Sequence, residues 1–254
     1  MPSTLPRPEA QQFFRQALAL LNAHDALDHP TATECAYSLW RSRTAWPDGT
    51  DFEDFERWLE PTILSLPMDS AMRWGYLLRK AEINNWGELL RQYPPLVDAA
   101  ARQFGAYDPR VIRWRCRLHS FYVGATAEAN QRWTAGTDPD WIPADAPPGL
   151  REYWLRAIEY GGSLIPDASK VYGDGHRLAL AARVWHAYAR REALAEARSS
   201  IGLAAGWTKH DIAQLEATDA AREHAELRDA IIAAEGEQSP LLMALDDPFG
   251  VPWQ

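Results

Sequence analysis

The sequence predicts an all-α protein of stacked antiparallel helical hairpins, a superhelix or related helical bundle, with no significant sheet. Helix start signals recur along the chain. Apolar residues return at helical spacing, and no run alternates as a strand would. Glycine is scarce, 15 of 254 residues, and alanine abundant, a balance that favours helix.

Pro8 can open a first helix, with Phe13, Ala17, Leu20 and Leu21 on one face. Thr31 to Glu34 reads as a capping box ahead of Tyr37 and Trp40, and Thr50 to Glu53 as another ahead of Phe55 and Trp58. Pro61 and Pro67 break that run, and Asp69 can cap a helix carrying Met72, Tyr76 and Leu77. A helix from about Trp86 is expected to end near Tyr93, because Pro94 and Pro95 lack the amide a helix interior needs. Asp108-Pro109 pairs an N-cap with a first-turn proline, and Thr126 is expected to cap the helix that follows. Further helices are predicted over about Leu150–Leu164, Gly175–Arg190, Ala193–Ala204 and Thr208–Ala234, the last opened by a Thr208/Asp211 capping box. No helix beyond a turn is predicted after Gly236.

These elements suggest one helical domain over residues 1–236. Possible halves 8–135 and 149–236 are joined by the loop Gly136–Gly149, and 237–254 forms an extended, Pro-containing tail with Phe249 and Trp253 free for contacts. The net charge is −9 with a pI near 5.3, which argues against general affinity for nucleic acid or anionic membranes. No apolar run approaches the roughly 18 residues of a membrane span, and the N-terminus has no signal-peptide pattern. Cys35 and Cys116 have no metal-type spacing and read as buried, reduced thiols. A cytoplasmic protein is expected, with no cofactor and no metal. Only Lys80, Lys170 and Lys209 are lysines, so arginine carries nearly all the positive charge.

Two segments align without gaps at an offset of 68, one from Phe104 (FGAYDPRVIRWRCRLHSFYVGATAEA) and one from Tyr172 (YGDGHRLALAARVWHAYARREALAEA). Gly105 matches Gly173, Ile112 matches Leu180, Arg115 matches Arg183, and Glu128-Ala129 matches Glu196-Ala197. Each reads as an aromatic-Gly helix end, a capped helix, a short turn and a second helix. Such a hairpin buries its apolar face only by stacking on neighbours. The segments resemble the tetratricopeptide superfamily in its variants with an aromatic-Gly turn, a His-Pro, then Leu and Arg. Asp108-Pro109 stands at the His-Pro position in the first, and His176-Arg177 in the second. The resemblance covers about a third of the chain and implies a helical array that binds protein. The bland alternative is a generic bundle whose hairpins share capping rules.

The sequence contains no GxSxG, HExxH, CxxC, P-loop or GxGxxG motif. Gly173-Asp-Gly175 reads as a helix–helix turn, and Glu152 with Glu159 as a solvated face. Arg113 and His119 resemble the Arg-x(4–6)-His signature of HEPN ribonucleases, in which the two residues cradle and cleave RNA without metal. That makes an all-helical enzyme, its site assembled from distant residues, the alternative to a binding protein. In RVIRWRCRLHSF, Val111, Trp114, Leu118 and Phe121 form an apolar stripe beside a basic stripe of Arg110, Arg113 and Arg117. Arg183, His186 and Arg190 form a second, weaker one. The stripes either pair internally with carboxylates or grip an acidic peptide. The main expectation is a non-catalytic, protein-binding adaptor.

Overall fold

A computed structural model describes residues 60–82, 84–134, 150–199, 206–217 and 219–246, with scattered positions between 12 and 35. No strand occurs among them, and from Ala71 onward the helices are α1 (Ala71–Glu82), α2 (Trp86–Phe104), α3 (Pro109–Thr134), α4 (Arg151–Tyr172), α5 (Arg177–Arg198), α6 (Lys209–Glu216), α7 (Ala220–Glu235) and α8 (Pro240–Asp246). The all-α class is therefore shown. The expected features at Pro8, Thr50–Glu53, Gly136–Gly149, Phe249 and Trp253 lie outside the described residues. Thr31 and Glu34 are both helical.

The chain divides into two compact units, residues 1–83 with the last residue, and Asn84–Trp253. The boundary is thus not the Gly136–Gly149 loop, because α3 and α4 on either side of it pack together in the second unit. In the first unit, Ser70 rather than Asp69 opens α1, its hydroxyl accepting the Arg73 amide at 3.4 Å. Trp74 is buried and donates its indole N–H to the Met68 carbonyl at 2.7 Å, and Tyr76 and Leu78 are buried beside it in sequence.

In the second unit the prolines did not act as expected. Helix α2 runs through Pro94 and Pro95. Two amides are lost, but the carbonyls they would have served belong to half-buried Leu90 and exposed Arg91. Leu89, Tyr93, Val97 and Ala100 keep one buried face across the break. Tertiary burial of that stripe outweighs a proline penalty of about 3 kcal/mol each. Helix α4 likewise passes through Pro166, whose missing bond falls to the exposed Gly162. Thr126 lies inside α3, donating its hydroxyl to the Tyr122 carbonyl at 2.7 Å. Helix α5 is continuous from Arg177 to Arg198, and the predicted helix over Thr208–Ala234 is two, because Asp219 caps a fresh start. The Thr208/Asp211 capping box is present. The predicted tail is partly helical: in α8, Leu241, Ala244 and Leu245 are buried.

The helices form hairpins α2–α3, α4–α5 and α7–α8, closed by the same turn. Gly105, Gly173 and Gly236 have φ of 98°, 89° and 86° and send their amides to carbonyls four residues back at 2.9, 2.7 and 2.8 Å. That conformation strains any side chain. Three residues on, Asp108, His176 and Ser239 cap the next helix by accepting the amide two positions ahead. Each 68-residue unit holds two long helices. Residues 104–129 and 172–197 are therefore each a turn plus one helix, not a complete hairpin with a second turn inside it. The third copy has the pattern Gly236-Glu-Gln-Ser239-Pro240, parallel to Gly105-Ala-Tyr-Asp108-Pro109.

A second feature follows the same offset. Trp86, in the first turn of α2, donates its indole N–H to Glu128 near the end of α3, and Trp154 donates to Glu196 at 2.7 Å, both pairs 42 residues apart. Glu196 is 6% exposed and also accepts the Trp207 indole at 3.0 Å. Glu196→Ala leaves two buried indole donors without partners and should cost about 2–4 kcal/mol in denaturant unfolding. Glu128→Ala, at a half-exposed site, should cost less than half as much. Equal costs would show that burial of the clasp does not matter.

Helix α5 is the hub, packing on α3, α4, α6, α7 and α8. One core cluster joins Val123, Trp154, Trp185, Trp207 and Leu215 across α3 to α6. Another joins Leu180, Val184, Leu227, Ile231 and Leu241 across α5, α7 and α8.

Candidate functional site

Between α3, α4 and α5 the core turns polar. His119 on α3 is fully buried, and neither ring nitrogen has a hydrogen-bond partner. His186 on α5 is 9% exposed, its Nδ1 is likewise unpartnered, and the two ring centroids are 6.4 Å apart. Both rings press against Gly161. A Cβ there would stand 2.5 Å from His119 Nε2 and 2.8 Å from His186 Nδ1, closer than any such atoms pack. The consecutive glycines of α4, poor residues for a helix interior, are thus explained at the first position by clearance for two imidazoles.

Burial pushes His119 down to about 3, helped by the neighbouring His186 and opposed by the nearby Ala157 carbonyl. Burial and the Arg190 charge push His186 down to about 4, opposed by the Ile158 carbonyl. One turn along α3 the seam continues. Arg115 pairs with Asp167 of α4 at 2.6 Å and faces the ring of Tyr160, whose hydroxyl is pushed up chiefly by burial. The Cys116 thiol is pushed up to about 12 by burial. At neutral pH this seam offers uncharged imidazoles, a protonated thiol and a compensated ion pair. It holds neither an activated nucleophile nor a base poised near pH 7. Among the described residues no group of three or more His, Cys, Asp or Glu is placed to hold a metal ion.

The ribonuclease-like pair is not brought together. Arg113 is exposed while His119 is wholly buried, and six residues of helix set them about 120° apart around the axis. The basic stripes divide. Arg110 makes a two-pronged contact with Asp108 at 2.9 and 2.8 Å and lies 4.0 Å over the ring of Phe104. Arg117 lies 5.4 Å over Phe121. Arg113 is exposed beside Tyr172, where its charge opposes the rise that burial gives the phenol. On α5, Arg183 is half-buried, and Arg190 reaches the Leu215 carbonyl at 3.2 Å, tying α5 to α6. Of the apolar stripe, Val111 and Leu118 are buried, and Trp114 and Phe121 are half-buried. Glu152 and Glu159 are exposed, and Gly173-Asp-Gly175 is a helix–helix turn. Cys35 is buried, Cys116 is half-buried, and both are free thiols.

Sequence reasoning missed the His119–Gly161–His186 contact, which depends on three helices meeting. His186 aligns with Leu118 at the 68-residue offset, so the pair is not part of the repeat. The Trp–Glu clasps were legible, since Trp86 and Trp154 obey the offset already seen in Glu128 and Glu196. No helix among the described residues is long and apolar enough to cross a membrane. No protein-family model matches the chain, and no curated protein or solved structure is significantly similar to it.

Proposed function

We propose that this chain is a non-catalytic, cytoplasmic protein-binding scaffold, a tetratricopeptide-like array of stacked hairpins. The observation that carries the reading is the recurring hairpin, with one turn geometry at Gly105, Gly173 and Gly236 and the Trp–Glu clasp in the first two copies. Stacked hairpins bury their cores against one another and leave an extended outer surface, the usual basis of protein recognition by repeats. The polar seam is compatible with that reading, because its two imidazoles are buried and uncharged at pH 7 and its Arg115 and Asp167 charges are paired. The ribonuclease reading loses its support, since Arg113 and His119 share no accessible face.

The test is affinity purification of the tagged full chain from its host, with quantitative mass spectrometry. A partner recovered near one-to-one with the chain through repeated washes supports the scaffold. Turnover of RNA or a small-molecule substrate by the pure chain, with no stoichiometric partner, overturns it.

A further inference from the structure

The turns closing the first two hairpins touch. Tyr172, the last residue of α4, donates its hydroxyl to the Pro109 carbonyl at 2.5 Å. Two residues earlier, the Lys170 ammonium stands 3.9 Å from the ring centroid of Tyr107 in the first turn. His176 stacks on Tyr172 with centroids 4.5 Å apart and planes 15° from parallel. Tyr107 is 50% exposed, and Arg113, Lys170 and His176 are exposed with it.

The charges on this surface are unevenly compensated. Asp108 is taken by Arg110, and Asp167 by Arg115. Among the described residues neither Arg113 nor Lys170 meets a carboxylate at ion-pair distance. Asp174 is the remaining carboxylate of the second turn, and it is exposed. Two exposed cations thus stand beside the exposed rings of Tyr107 and His176. The third turn has the opposite character. Glu235 stands where Phe104 and Tyr172 precede the glycine in the first two, and Glu237 follows it. The basic, aromatic character therefore stops at the second turn.

We propose that the joined turns of the α2–α3 and α4–α5 hairpins bind an acidic peptide segment, its carboxylates on Arg113 and Lys170 and its backbone across Tyr107 and His176. The proposal rests on the scaffold reading and names its site. Carboxylates suit the site better than a nucleic acid, whose affinity grows with the number of phosphates neutralised and is opposed by an acidic surround. Both cations sit over or beside aromatic rings, which fix them in place.

The probe is a fluorescein-labelled hexaglutamate peptide, followed by anisotropy with the full chain at low salt. Wild type should bind saturably, and Arg113→Glu with Lys170→Glu should weaken binding at least tenfold. Arg222→Glu with Arg228→Glu, the same charge change on α7, should stay within twofold of wild type. Arg113→Gln with Lys170→Gln covers misfolding of the reversed variant and should weaken binding at least threefold with an unchanged melting midpoint. No binding by wild type, equal loss in the α7 control, or tighter binding of a hexauridylate overturns the site. If the Glu variant still captures the native partner at wild-type yield, the site is wrong while the scaffold reading stands.

Discussion

Gly161→Ala lowers stability by about 2 kcal/mol, while Gly162→Ala, one residue on, raises it by up to about 1 kcal/mol. Helix propensity alone would favour alanine at both positions by a similar amount. The two positions differ in what a methyl group meets. At Gly161 it would stand 2.5 Å from the His119 ring and 2.8 Å from that of His186, both held between helices. Relief requires α4 to move or a ring to leave its rotamer, and such overpacking costs about 1–3 kcal/mol, at times more. At Gly162 the nearest atom is His186 Cε1 at 3.7 Å, ordinary contact, and the position is solvent-exposed. Urea unfolding of the two variants gives the answer. Stabilisation by both alanines would show that the imidazoles do not pack against α4 as described.

Acidification from pH 7 to 5 should remove about 4 kcal/mol of stability and lower the melting midpoint by about 10 °C. Both imidazoles titrate lower when folded, near 3 and 4, than the 6.5 of an unperturbed histidine. Below pH 6.5 the unfolded chain therefore binds protons that the folded chain refuses, and stability falls with pH until the folded values are reached. At pH 5 each ring contributes about 2 kcal/mol, since one pKa unit is worth about 1.4 kcal/mol. The charges around the pair do not offset this. Arg190 lies near His186, Arg115 is already paired with Asp167, and Tyr160 is held protonated. Asp211 acts in a separate window. Its hydrogen bonds with Arg151 hold its carboxyl well below the usual range, so its contribution is lost only as pH falls below about 4. His119→Leu with His186→Leu should match wild type at pH 7 and flatten the loss between pH 7 and 5. A wild-type midpoint unchanged at pH 5 would refute the account.

The helical class and most starts were legible because they rest on local chemistry. Asp108-Pro109 and Thr208/Asp211 name their own helix ends. The errors came where packing overrules local preference. Pro94 and Pro95 forbid a helix locally, and only the buried stripe Leu89, Tyr93, Val97 and Ala100 keeps it whole. Ser239-Pro240 carried the same start signal as Asp108-Pro109, but prolines nearby made the segment look like a tail. Of the candidate site residues, the arginines of α3 could be set on one face but not sorted. Whether each meets Asp108, Phe121, Tyr172 or nothing depends on neighbours that spacing does not fix. The histidine pair was invisible for a stronger reason, because it exists only where α3, α4 and α5 converge.

The Trp–Glu clasps have a mechanical consequence. In each of the first two hairpins the glycine turn joins one end and the clasp joins the other, so both helices are pinned at top and bottom. Sliding one past its partner by a helical turn, about 5.4 Å, would tear an indole from its carboxylate. In the third hairpin the described part of α8 is seven residues, Pro240–Asp246, and its glycine turn repeats the closure of the other two. The first two hairpins therefore behave as closed frames that resist shear along their helix axes.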